Sequence, residues 1–196
     1  YKDGTNGTSF TFAVAGLNAG TKKLAFTIHG AQVSTGIVSG VTFATVAATS
    51  VIAVLSGETA CEIWQIEGIT ATSGSLVITF SNTKAGCESG VFEVTNAAAA
   101  ASNTYSSTAD PLTATPVVPA GGVLICAGTA NATGETTTIT NATERYDDAL
   151  TADYSFSAAG SSDAFPSGQS LTVTLDMTSG GGSTVWAGAF AAWAPA

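Results

Sequence analysis

The sequence predicts an all-β fold, a two-sheet antiparallel β-sandwich. Three observations predict it. Apolar residues recur with period two in many short runs, as they must where successive side chains of a strand point to opposite faces. Clusters of Gly, Asn, Thr, Ser and Pro separate these runs. No long stretch carries a helical repeat. The 196 residues suit one domain, expected over 1–196, and a chain of this size buries roughly 70% of the surface exposed by its unfolded form.

Taken in order, Phe10, Phe12 and Val14 alternate with Thr11 and Ala13, and Gly16–Gly20 is a turn cluster. Leu24, Phe26 and Ile28 mark one face of a second strand, with Lys23, Ala25, Thr27 and His29 on the other. His29 is therefore expected on a polar, solvent-facing side. Val41, Phe43 and Val46 suggest one weaker strand and Val51–Leu55 another, both suited to sheet edges. The clearest pair of runs, Cys61–Ile66 and Leu76–Phe80, reads as a β-hairpin from Thr59 to Ser81. Gly90–Thr95 makes a short strand, and the five alanines Ala97–Ala101 are too few to stand as a helix.

Asp110-Pro111 and Pro116–Pro119 bracket an expected edge strand, since proline cannot donate to a central ladder. Val123–Ala127 is continuously apolar, as in a strand covered on both faces. Thr136–Thr140 is β-branched, Tyr154–Phe156 suggests a further strand, and Leu171, Val173, Leu175 and Met177 alternate inward. The closing run from Thr184 to Trp193 is apolar on both faces. It is either a central strand or one whose second face meets a partner chain, with Trp186, Phe190 and Trp193 as the expected interface residues. Ten to twelve such strands fit a jelly roll, with the proline-rich segment as a crossover between halves of one sandwich.

Charge narrows the function. Five Lys and Arg against 14 Asp and Glu give a formal charge of −9. That disfavours nucleic acid, where cations must displace counterions from phosphates, and disfavours an anionic membrane surface. Only 10% of residues are charged while 45% are hydrophobic, so Thr, Ser, Asn and Gly must cover the surface. Such a coat suits an extracellular protein or one in an assembly. No run of about 20 apolar residues marks a membrane span. The chain opens on Tyr1 rather than Met, which implies processing, trimming or an incomplete start.

Reactive chemistry is sparse. Cys61, Cys87 and Cys126 are odd in number and widely spaced, and with a single histidine they do not make a zinc pattern. Cys61 and Cys126 read as small buried residues, and Cys87 as a turn residue for which a bond to Cys61 is geometrically open. A serine or cysteine hydrolase needs a base, and His29 is the one candidate. Glu62 with Glu67, or Glu144 with Asp147, are the carboxylate pairs to test for glycoside hydrolysis, though five residues place Glu62 and Glu67 on opposite faces of a regular strand. No catalytic residue and no obligatory cofactor is expected. Glu144, Asp147 and Asp148, with Asp153 beyond, form an acidic segment able to offer oxygen ligands to Ca²⁺, against the plainer reading of a solvated loop. Asn6-Gly7-Thr8, Asn131-Ala132-Thr133 and Asn141-Ala142-Thr143 match glycosylation sequons.

Several segments together resemble a family: Cys61-Glu62-Ile63-Trp64-Gln65-Ile66, Leu76–Ser81, Gly90-Val91-Phe92, Gly121–Ile125, Glu144-Arg145-Tyr146 and Trp186–Trp193. Over roughly residues 50–196 the chain resembles a loose group of jelly-roll domains from bacteriophage virion proteins and secreted bacterial proteins. Tyr146 stands where a larger aromatic is usual, and the first 50 residues match none of its motifs. The resemblance implies a non-enzymatic virion component, such as a capsid decoration (cement) protein or fibre domain, and carries no catalytic residue across. Its partners would be itself, as a homo-oligomer expected to be a trimer, and capsid or other virion proteins, on the virion surface or outside the cell. The alternative is a carbohydrate-binding or adhesive module, with Trp64, Tyr105, Tyr146 and Tyr154 over a sugar face and calcium at the acidic segment.

Overall fold

Pairing order divides the chain. In the computed structural model, which describes residues 1–31, 33–95, 97–131, 136–151, 155–162, 165, 167–178 and 185–196, every described secondary-structure element is a strand and every ladder is antiparallel. The first half contributes β1 (Lys2–Asp3), β2 (Gly7–Ala15), β3 (Lys22–Gly30), β4 (Val38–Phe43), β5 (Val46–Ala47), β6 (Thr49–Ser56), β7 (Thr59–Ile69), β8 (Ser73–Lys84) and β9 (Cys87–Val94). They form an inner sheet, β1-β9-β3-β7-β6, and an outer sheet, β2-β8-β4-β5.

The second half adds β10 (Asn103–Ser107), β11 (Leu112–Ala114), β12 (Val117–Val118), β13 (Val123–Ala130), β14 (Thr136–Thr140), β15 (Thr143–Thr151), β16 (Ser155–Ser162), β17 (Gln169–Ser170), β18 (Val173–Thr178) and β19 (Trp186–Trp193). Its inner sheet is β10-β19-β13-β16-β15 and its outer sheet β11-β18-β14, with β12-β17 as a small extra pair. The two halves thus repeat one topology. Replacing β1, β9, β3, β7 and β6 by β10, β19, β13, β16 and β15 turns the first inner sheet into the second, and β2, β8 and β4 map onto β11, β18 and β14. The expected antiparallel sandwich is present, and it is present twice.

Three apolar clusters hold four layers. Phe10, Phe12, Phe26, Phe43, Leu76 and Ile78 lie in the core of the first sandwich, and Leu112, Leu124, Cys126, Val173, Leu175 and Phe190 in that of the second. The third cluster lies between the two inner sheets, where Ala25, Cys61 and Ile63 meet Ile125, Ala127, Ala189, Ala191 and Trp193. Each inner sheet is therefore covered on both faces. This explains why β3 is buried at every position although six of its nine residues are polar or small.

Beyond the doubling of the sandwich, other expectations change here. Thr59–Ser81 is not a hairpin: β7 belongs to the inner sheet and β8 to the outer one, and the connection at residues 70–72 crosses the sandwich. Both runs alternate because both face the same core, where Trp64 and Ile66 meet Leu76 and Ile78. The acidic segment is not a loop, since Glu144, Asp147 and Asp148 lie within β15. Other readings hold. β6 is an edge strand and so is β11, flanked by Pro111 and Pro116, while β13 and β19 are central and covered on both faces. The proline-rich stretch is not the expected crossover between halves of one sandwich: it lies within the second sandwich and carries β11 and β12. Ala97–Ala101 forms no helix; Ala97 bridges to Pro195, and the Ala98 amide donates to the Ala194 carbonyl at 2.8 Å. Tyr154, Asp153 and Thr184, and the centre of the Asn131 sequon, lie outside the described residues.

Candidate functional site

The densest polar chemistry lies between the inner sheets. β3 points Thr27 and His29 toward the second sandwich, β13 presents Thr129, and β15 presents Tyr146. His29 Nδ1 is 2.6 Å from Thr129 Oγ1, and Nε2 is 2.7 Å from the Tyr146 hydroxyl, which is 2.7 Å from Thr27 Oγ1. The Gly90 amide of β9 donates to Thr27 Oγ1 at 3.1 Å. A neutral His29 satisfies all three contacts in either tautomer, with the protons running from Thr27 through Tyr146 and His29 to Thr129 or in the reverse direction.

Burial keeps the arrangement uncharged. Thr27, His29 and Thr129 have no exposed surface. Desolvation lowers His29 to about 3 and raises the Tyr146 phenol well above its ordinary range, so both stay neutral. Cys61, opposite His29 across the β3-β7 ladder, is raised to about 12 by burial and stays a thiol. Gly90 makes the approach possible. A Cβ there would stand 2.7 Å from Thr27 Oγ1 and 2.8 Å from Tyr146 Cε1.

This corrects the expectation that His29 faces solvent. Period-two reading assigned its face correctly as the one opposite Phe26, but that face is covered by the second sandwich. Its partners Thr129 and Tyr146 are 100 and 117 residues away, and no local motif announces them.

A second junction fastens the connector between the halves. Lys23, nearly buried, donates to the carbonyls of Ala98 and Ala99 and pairs with Glu67 at 3.0 Å. Gln65 donates to the Ala99 carbonyl at 2.7 Å and accepts from Trp193 Nε1 at 2.8 Å. Two shallow clefts flank this point, of ≈ 270 Å³ beside Lys23 and Glu67 and ≈ 400 Å³ beside Gln65 and Ala99.

The remaining sequence candidates do not converge. Glu62 is buried in the first sandwich, where its carboxylate accepts from the Val38 amide at 2.6 Å and from Trp64 Nε1 at 2.8 Å; burial nonetheless raises its pKa. Lys84, whose ammonium donates to the Ser34 and Glu58 carbonyls, is lowered to about 8, chiefly by burial. Glu67 is exposed on the opposite face of β7.

Asp147 accepts from the Thr137 amide at 2.8 Å, while Asp148 pairs with Lys2 at 2.8 Å; Glu144 is exposed. Among the described residues no group of three potential metal ligands comes together, so the expected calcium ligands are separate surface and ladder contacts. None of the three cysteines is in a disulfide and all are buried: Cys87 faces the first core and Cys61 the face between the sandwiches. Phe190 and Trp193 are fully buried within the chain, which removes them from the expected intermolecular interface, while Trp186 is half-buried against the second core. The second face of that strand meets this chain's own inner sheet. Of the aromatics considered for a sugar face, Trp64 is buried, Tyr146 is engaged with His29, and Tyr105 is exposed.

No family model matches the chain, and neither does any curated protein or any solved structure.

Proposed function

We propose that this chain is a non-enzymatic structural component of a virus particle, of the capsid decoration or fibre kind, which works by assembling with copies of itself and with other virion proteins. The observation that carries this reading is the tandem construction: two sandwiches of one topology joined through an apolar face and a neutral hydrogen-bonded junction. In a jelly roll of eight strands the first pairs with the last, the last with the third and the third with the sixth. The order β1-β9-β3-β7, with β5 as the fifth strand in β2-β8-β4-β5, fits that pattern and supports the resemblance read from the sequence. The outer faces suit a packing role. Thr11 and Ala13 of β2 are exposed, and Thr113 lies 3.3 Å from Thr174, giving a weakly charged surface of short side chains.

The test is sedimentation of native source material followed by mass spectrometry. The expected result is that the chain travels with a capsid-sized particle in stoichiometric amount. Recovery solely as free protein would defeat the reading, and a glycan screen with and without calcium would then test the adhesive alternative.

A further inference from the structure

We infer that the outer edge of β2 is a self-association site, at which two copies of this chain pair antiparallel across a two-fold axis and join their outer sheets. The other sheet edges are blunted in recognisable ways. An open edge offers unpaired N–H and C=O groups, and natural sheets protect such edges by shortness, proline, charge or bulges. β1 and β5 have two residues each, and β11 has three with Pro111 and Pro116 beside it. β15 is long but carries Glu144, Arg145, Asp147 and Asp148 and two register shifts. β6 has eight uncharged residues but carries a register shift between Ser50 and Ile52 and packs against β19 and β10; β10 and β14 have five residues each.

β2 differs from all of these. It is nine residues long, contains no charge and no proline, pairs among the described residues only with β8, and has its one register shift at its first end, between Gly7 and Ser9. Its counterpart in the repeated topology is β11, where prolines flank the equivalent edge.

The hydrogen-bonding groups can be assigned. The Ala44 amide donates to the Ser75 carbonyl at 3.1 Å, so Ser75 directs its backbone groups away from β2. Residues alternate sides in an antiparallel ladder, so Leu76 and Ile78 bond toward β2, where they oppose Phe12 and Phe10. Ser9, Thr11 and Ala13 are left with their N–H and C=O groups pointing outward.

The occupant follows from self-complementarity. A two-fold centred on Thr11 sets Thr11 against Thr11, Ser9 of one copy against Ala13 of the other, and Phe10 against Phe12. Outward side chains meet outward ones, and the two phenylalanine-lined core faces become continuous. No carboxylate lies on β2, so this edge lets two chains of charge −9 meet without placing like charges opposite each other. The exposed ring of Tyr1, with its centroid 6.2 Å from that of Phe12, adds apolar surface beside the seam. Pairing of this kind is isologous and makes dimers, in place of the trimer expected from the resemblance.

Sedimentation equilibrium of the full chain tests this. The expected species is a dimer of twice 19.3 kDa. Thr11→Pro removes an outward amide without removing a bond to β8 and is expected to yield monomer with a preserved thermal transition. Should that variant fail to fold, Thr11→Asp with Ala13→Asp, both at exposed positions, is expected to weaken dimerisation roughly tenfold or more by placing like charges across the axis. A monomeric or trimeric wild type, or a dimer that the folded edge variants retain undiminished, overturns the inference. The inference takes from the proposed function only the expectation of self-association. A monomer that still sediments with particles would end the inference and leave that function standing, and a free dimer that never joins a particle would do the reverse.

Discussion

The two sandwiches share one strand order and are sealed by different means. The first fills its core with large rings, among them Phe10, Phe12, Phe26, Phe43, Phe80 and Trp64. The second relies on Leu112, Leu124, Val173, Leu175 and alanines, with Phe165 and Phe190 as its buried rings among the described residues. A topology constrains where apolar side chains must point and leaves their size to local packing. Between the halves, alanines on the second inner sheet let the sheets approach closely enough for His29 and Tyr146 to bond.

The largest expected effects test the difference in cores. Phe26→Ala removes a fully buried ring from the first sandwich and is expected to cost about 3–5 kcal/mol in denaturant unfolding. Leu175→Ala, also fully buried, is expected to cost about 2–4 kcal/mol. A larger loss at Leu175 would reverse the comparison.

The junction comes next. Tyr146→Phe leaves His29 Nε2 unpaired and Thr27 Oγ1 with only the Gly90 amide, and is expected to cost about 1–3 kcal/mol, as is Gly90→Ala, whose Cβ would crowd Thr27 Oγ1 and the Tyr146 ring. If the junction is one network, a double-mutant cycle of Tyr146→Phe with His29→Leu returns a coupling energy well above zero; additivity would show independent residues.

Acid separates the junction from the cores. His29 is held near 3 in the folded chain and returns to about 6.5 on unfolding, so between those values the unfolded state binds the extra proton. Its contribution is fully present above about pH 6.5 and is lost as pH falls toward 3. Glu62, raised by burial, works in the opposite sense, because its folded form holds a proton more readily. Stability measured against pH is therefore expected to fall less steeply in His29→Leu than in wild type, and an unchanged slope would remove His29 from the account. The smallest effect belongs to the exposed Lys2–Asp148 pair, where Lys2→Ala is expected to cost less than about 1 kcal/mol, an effect that fades with added salt.

Much of the fold is legible in local pattern. Phe10-Phe12-Val14 and Leu76-Ile78-Phe80 announce their strands and their buried faces, because period two is a property of the extended chain itself. Pro111 and Pro116 announce an edge strand because a missing donor has the same consequence in any fold. The site is much less legible. Thr27, His29, Thr129 and Tyr146 look like ordinary polar strand residues, and Glu144-Arg145-Tyr146-Asp147-Asp148 looks like a loop.

By itself, then, the sequence determined that the chain is all-β, where most strands run, which faces are apolar and that its surface is weakly charged. Each of these rests on properties of neighbouring residues. Tertiary structure alone decided that Thr59–Ser81 crosses between sheets, that the strand order is repeated, and that Phe190 and Trp193 are covered from within. It also decided that His29 is buried. Alternation gives a side chain its face of a strand, but what covers that face is set by a sheet built from residues about a hundred positions away.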